Sequence, residues 1–195
     1  MSTKKTKDVA ILGMFGAITV VLQLLSYAVK IGTFNLSLVL IPIVLVAVLY
    51  GPKQAAIIGA VFGVIVTIAS ATGLDLGGNV LFLSSPILTT LVCIGKGVFA
   101  GFLAGLIAHP LKSKNVYLAV ILAAVIAPLT NTGLFVLSMF AFFRDTLTVW
   151  ANGTDVVYYA IVGLIGINFV IELVINLVLS PVVLRVTKAF SKNKF

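Results

Sequence analysis

The chain has very little charge. Only 9% of its 195 residues are Asp, Glu, Lys or Arg, against roughly 25% in soluble domains. Together with 61% hydrophobic residues and a mean hydropathy of +1.25, this leaves no room for a sizeable soluble domain. A single cysteine, Cys93, excludes an internal disulfide and any multi-cysteine metal site. It lies in an apolar run and reads as a small packing residue. A single histidine, His109, sits beside Pro110 in what reads as a turn, so no His-based metal site or triad is expected. No GxxxxGK(S/T) phosphate loop is present: Gly95-Lys96-Gly97 lacks the following Ser or Thr and lies in an apolar run. HExxH and GxSxG are absent too. The chain therefore does not read as an enzyme, and neither a cofactor nor a metal is expected. Acidic residues are scarcer than basic ones, 5 against 13, for a net charge of +8. There is no basic stripe with interleaved aromatics, which argues against nucleic acid as a partner.

What the chain has is long apolar runs. A bilayer core takes about 20 apolar residues per helix, and the runs predict an all-α bundle of six transmembrane helices forming one membrane domain over 1–195. The expected helices are about 9–29, 36–50, 54–71, 86–108, 116–143 and 156–184. The second is short and is expected to tilt or to begin in an outer loop. The Lys-rich start resembles a signal peptide, but the run Val9 to Val29 is too long and no small-residue cleavage site follows. It reads as the first permanent helix. Gly51-Pro52-Lys53 is a tight turn. Thr72 to Ser85 reads as a Gly-rich loop whose Val80-Leu81-Phe82-Leu83 core dips into the membrane surface, and it could serve as a lid. Residues from His109 to Lys114 and from Arg144 to Asp155 read as polar breaks.

Basic residues sort by side. Lys4, Lys5, Lys7, Lys53, Lys112, Lys114, Arg185, Lys188, Lys192 and Lys194 fall on one side, and Lys30 and Arg144 on the other. The positive-inside rule makes the first side cytoplasmic, with both termini there and a multi-pass location in the cell membrane. Asp75, Asp145 and Asp155 then decorate the outer loops. Small residues recur every fourth position, at Gly59 and Gly63, at Gly97, Gly101 and Gly105, and at Ala119, Ala123 and Ala127. Such faces let helices approach closely in lipid.

Charge inside a span is costly and points to function. Lys96 lies in the fourth span and Glu172 in the sixth, with Asn168 and Asn176 one turn to either side of Glu172. In the fifth span, Asn131 and Thr132 follow Pro128, which frees a backbone carbonyl. At 1.5 Å per residue, Lys96 lies about 15 Å below the outer end of its helix, and Asn131 and Asn168 about 18 Å below theirs. These residues share a layer and form the candidate substrate site. Asn79 in the outer loop and Tyr158 at the outer boundary complete it. The plainer alternative is a buried Lys96–Glu172 pair with asparagines bridging helices, and an aromatic belt accounts for Trp150.

Several segments together resemble the substrate-binding S components of energy-coupling factor (ECF) vitamin transporters. They are the Lys-rich tail, Ala10-Ile11-Leu12-Gly13-Met14-Phe15-Gly16-Ala17, Leu38-Val39-Leu40-Ile41-Pro42-Ile43, Tyr50-Gly51-Pro52-Lys53 and Asn131-Thr132-Gly133-Leu134-Phe135. The resemblance implies high-affinity binding of a vitamin near the outer face, docking on a transmembrane T subunit, and drive from two cytoplasmic ATPases. It also implies a toppling of the whole component that releases substrate inward. The family's small-residue docking face on the first helix falls here on Gly13 and Ala17. The Asn-Thr-Gly segment looks most like pantothenate-type components, with riboflavin as the nearest competitor. Lys96, the one cation within a span, would suit a carboxylate, whereas riboflavin would want more aromatic surface. A stand-alone secondary transporter or channel is the rival reading, although no inverted repeat is evident.

Overall fold

The computed structural model describes the backbone of residues 3–27, 30–31, 34–35 and 39–192. The chain runs α1 (Thr3–Ser26), a two-residue antiparallel pair β1 (Lys30–Ile31) and β2 (Phe34–Asn35), α2 (Leu40–Tyr50), α3 (Pro52–Thr72), α4 (Leu76–Ser84) and α5 (Pro86–Leu111). It continues through α6 (Val116–Phe142), α7 (Arg144–Ala151), α8 (Val156–Tyr158), a π-helical stretch (Tyr159–Gly166) and α9 (Ile167–Lys192). Among the described residues, five helices are long and apolar enough to cross a membrane: Val9–Ser26, Pro52–Thr72, Pro86–Leu111, Val116–Phe142 and Val156–Ala189. The α2 helix is a shorter sixth. Large apolar side chains such as Ile57, Ile68, Leu91, Phe99, Leu137 and Val178 lie exposed around the bundle. Water would not tolerate so much apolar surface, but lipid tails suit it.

Several expected loops turn out to be helical. The stretch read as a loop from Thr72 to Ser85 contains α4, because the Asp75 carboxylate caps its first turn, accepting from Gly78 N at 3.2 Å. The polar break at His109 is the last turn of α5, which continues through Pro110 to Leu111. There His109 Nδ1 lies 3.1 Å from the Val48 carbonyl. The break at Arg144 holds α7, which buries Leu147 and Ala151 one turn apart and leaves its charged face outward. The first helix begins in the Lys-rich tail, and Leu36–Leu38 of the expected second span lie outside the described residues.

α3 and α5 pack backbone to backbone. A Cβ on Gly59 would strike the Gly97 carbonyl, and one on Gly63 would come within 2.5 Å of the Cys93 carbonyl. Gly105 rests in the same way on Pro52. Only glycine allows this approach. On α6, Ala119, Ala123 and Ala127 are fully buried.

α2 fills the middle of the bundle and packs on α3, α5, α6 and α9. Its Ile43, Val44, Val46, Ala47 and Val48 are all enclosed. Eleven residues rise only about 16 Å, roughly half of a bilayer core of about 30 Å. The helix ends at Gly51, whose φ of 90° suits glycine, and Pro52 opens α3 at its first position. From Gly51, a count of eleven residues back reaches Leu40 and the same count forward reaches Phe62. Among the described residues, no helix continues α2 above that level.

Candidate functional site

The space above α2 is a cavity. It offers about 90 Å³ to the centre of a water-sized sphere, several times the roughly 10–15 Å³ that one water requires. Phe62 of α3 and Lys96 of α5 are the lining residues nearest the level where α2 begins. Higher on the same helices come Val66 and Ser70, then Cys93 and Thr89. α6 contributes Asn131, Thr132 and Phe135, and α9 contributes Phe169 and Glu172. Gln23 enters from α1 and Tyr27 from the residue just past its end. Asp75, Gly78 and Leu81 close the end away from α2.

α4 is clamped in place over the cavity. Asn79 Nδ2 donates to the Ser70 carbonyl at 2.8 Å. Gly78 sits so close to α3 that a Cβ there would strike Ser70 Oγ and lie 2.9 Å from Asp75 Oδ2. This closure buries Asp75 to 9% exposure. Burial pushes its carboxyl above the ordinary range, against the opposing pull of the Gly78 N–H and the Lys96 ammonium.

Polar chemistry inside the cavity is unevenly satisfied. Lys96 Nζ lies 5.1 Å from the centre of the Phe135 ring, within cation–π range. Thr89 Oγ1 and Asn131 Oδ1 are buried without a hydrogen-bond partner among the described residues. The Gln23 amide stands beside the Tyr27 hydroxyl, yet neither Gln23 Oε1 nor Tyr27 OH completes a bond of good geometry. Each such buried orphan costs about 1–3 kcal/mol unless a partner arrives. Four of them around one ammonium and two carboxylates make a surface built for a polar solute.

Of the residues expected from sequence to bind substrate, Lys96, Asn131, Thr132 and Glu172 all line this one cavity. Asn79 does not; its amide is spent on holding α4. Tyr158 lies outside the lining and is 62% exposed. The side chain of Asn168 lies outside the described residues. Asn176 is buried but donates to the Glu172 backbone carbonyl at 2.8 Å, one turn back. Cys93 is packed in the apolar core, as its run implies, and also forms part of the cavity wall. Gln23, Tyr27, Ser70, Asp75 and Thr89 were not anticipated. Thr19 and Gln23 of α1 and Tyr27 just past its end recur every fourth residue and are all buried, a polar stripe visible in the sequence. Five aromatic residues, Tyr27, Phe62, Phe135, Phe143 and Phe169, line the cavity, more aromatic surface than the sequence suggested.

On α1, Gly13 and Ala17 are exposed, and a Cβ added to Gly13 or Gly16 would meet nothing within 4 Å. The opposite face of the helix buries Phe15, Thr19 and Gln23. The small-residue face is thus open on the outside of the bundle.

No solved structure matches the chain. A relative, the pantothenic acid transporter PanT of Lactococcus lactis subsp. cremoris (strain MG1363), is 29% identical over 199 residues, spanning 97% of this chain and 98% of its own length. A family model described as the ECF transporter substrate-specific component matches residues 7–184. That match takes in every residue named as lining the cavity, and the chain belongs to the family of ECF transporter substrate-specific components.

Proposed function

We propose that this chain captures pantothenate at the outer side of the cell membrane for uptake. The polar inventory of the cavity carries the reading: one ammonium, two carboxylates and four unsatisfied polar atoms enclosed by apolar walls. Pantothenate offers one carboxylate, one amide and two hydroxyls. Lys96 is the only cation among the described lining residues and takes the carboxylate. Asp75 and Glu172 accept from hydroxyl or amide N–H groups, and Asn131, Thr89 and Thr132 serve the remainder. Near-full-length similarity to a pantothenic acid transporter supports this choice. The five aromatic residues favour riboflavin as the second reading. Titration of the purified chain with each vitamin separates them. Saturable binding of riboflavin but not pantothenate would overturn the first.

Partners follow from the family. The chain works with an ECF T subunit and two cytoplasmic ATP-binding subunits, and the open Gly13–Ala17 face of α1 is where the T subunit docks. Uptake by the purified chain in liposomes without those subunits would overturn this assignment in favour of a stand-alone transporter.

A further inference from the structure

Two buried polar side chains of the ligand cavity have no role in the assignment above. Gln23 of α1 and Tyr27 just past its end both line the cavity. Neither supports the fold through its oxygen. Gln23 Oε1 and Tyr27 OH are enclosed and complete no hydrogen bond of good geometry among the described residues. The two side chains stand beside each other, and the Asp75 carboxylate is near enough to act on Tyr27 electrostatically. They therefore belong to the end of the cavity away from α2, which Asp75 and Gly78 close. A buried polar atom left without a partner is costly. Two of them side by side on one wall suit a ligand group of matching chemistry.

Donors and acceptors say what that group is. A carboxamide oxygen only accepts, whereas a phenol both donates and accepts. A hydroxyl satisfies the two at once, giving its hydrogen to Gln23 Oε1 and taking one from Tyr27. A carboxylate has no hydrogen to give, and the charge of Asp75 opposes it there. Toward α2, Lys96 offers only donors, which suits a carboxylate. Thr89 and Lys96 of the lining lie seven residues apart on α5, about 10 Å of rise. The carboxyl carbon and the primary hydroxyl of extended pantothenate lie about 9 Å apart by standard bond lengths.

We infer that Gln23 and Tyr27 read the primary hydroxyl of the substrate and so fix which way round it lies, with the hydroxyl end beneath α4 and the carboxylate on Lys96. The inference rests on the pantothenate reading and adds two specificity-determining residues to it. A carboxylate solute with no hydroxyl at its far end leaves both groups without a partner and is rejected.

Competition titration of the purified chain with three ligands tests this. They are pantothenate, its analogue with hydrogen in place of the primary hydroxyl, and pantothenyl alcohol, which lacks the carboxylate. The wild type should bind the deoxy analogue at least about fivefold more weakly than pantothenate. Tyr27→Phe should weaken pantothenate and pantothenyl alcohol about tenfold each and leave the deoxy analogue unchanged. Gln23→Leu should repeat that pattern, so the test stands if either variant misfolds. A loss on the deoxy analogue as large as that on pantothenate overturns the inference, because these residues would then only shape the cavity. A loss that vanishes on pantothenyl alcohol overturns it too, since the carboxylate would be the group at that end. A wild type that binds none of the three overturns the pantothenate reading, and the inference falls with it.

Discussion

Lys96 stands at the inner end of the cavity, where an ammonium among apolar side chains needs a partner. Truncating one member of a buried charge pair costs about 2–5 kcal/mol, roughly 30- to several-thousand-fold in affinity. Lys96→Met should therefore weaken pantothenate binding at least about 30-fold while the protein still inserts. Unchanged affinity with a large fall in melting temperature would make Lys96 a structural partner of the bundle instead. Asp75 poses the reverse case. Its folded carboxyl titrates above its ordinary value because burial disfavours the charge. The folded protein holds that proton more tightly, so the burial cost is absent below the unfolded pKa of about 3.9 and is paid in full above the folded pKa. Asparagine caps a helix as well as aspartate does. Asp75→Asn should thus melt at or above the wild type at pH 7, with the difference shrinking toward pH 4. A clear loss of stability at pH 7 would mean that the Lys96 attraction outweighs burial. Lys96, Asn131 and Glu172 were legible from sequence because a charge or amide stands out in an apolar run. Asp75 was not, since an aspartate just past a span looks solvated. Only the folding back of α4 encloses it.

At the scale of elements, the small-residue seams were legible and the short helices were not. Gly59, Gly63, Gly97 and Gly101 recur at helical spacing, and α3 and α5 meet along them. α4 has nine residues and α7 has eight, too short to register as spans and rich in residues typical of loops. Their helicity comes from a cap at Asp75 and from burial of Leu147 and Ala151. The π-helical stretch at Tyr159–Gly166 left no periodic trace within one long apolar run, although Gly163 lets the Tyr159 ring lie against the backbone. The open face of α1 yields the element-scale prediction. Ala17→Leu adds bulk where the T subunit would need close approach. It should abolish co-purification with the T subunit and vitamin uptake, while the isolated chain keeps its ligand affinity. Normal uptake by that variant would place docking on another face.

For the whole molecule, the sorting of basic residues predicts that both termini face the cytoplasm. In a chain with Cys93 replaced by Ser, a membrane-impermeant thiol reagent added outside should label a cysteine at Asn152 and not one at Ser113. Both positions are exposed, so labelling at Ser113 from outside would invert the topology. The number of spans could be read from the apolar runs, but the depth of the second helix could not. Its brevity is meaningful only beside α3 and α5, which pass it by. That half-length α2 also has an electrical consequence. Below the cavity lies about 16 Å of enclosed Leu, Ile, Val and Ala, with no polar side chain among Val39–Leu49 to solvate an ion. Carrying a bare charge through such a dielectric is prohibitive. The chain by itself is an insulator stacked beneath a receptor. Liposomes containing it should hold a potassium or proton gradient as tightly as empty ones, with or without vitamin. A current through the purified chain would show that the stack opens without the rest of the complex.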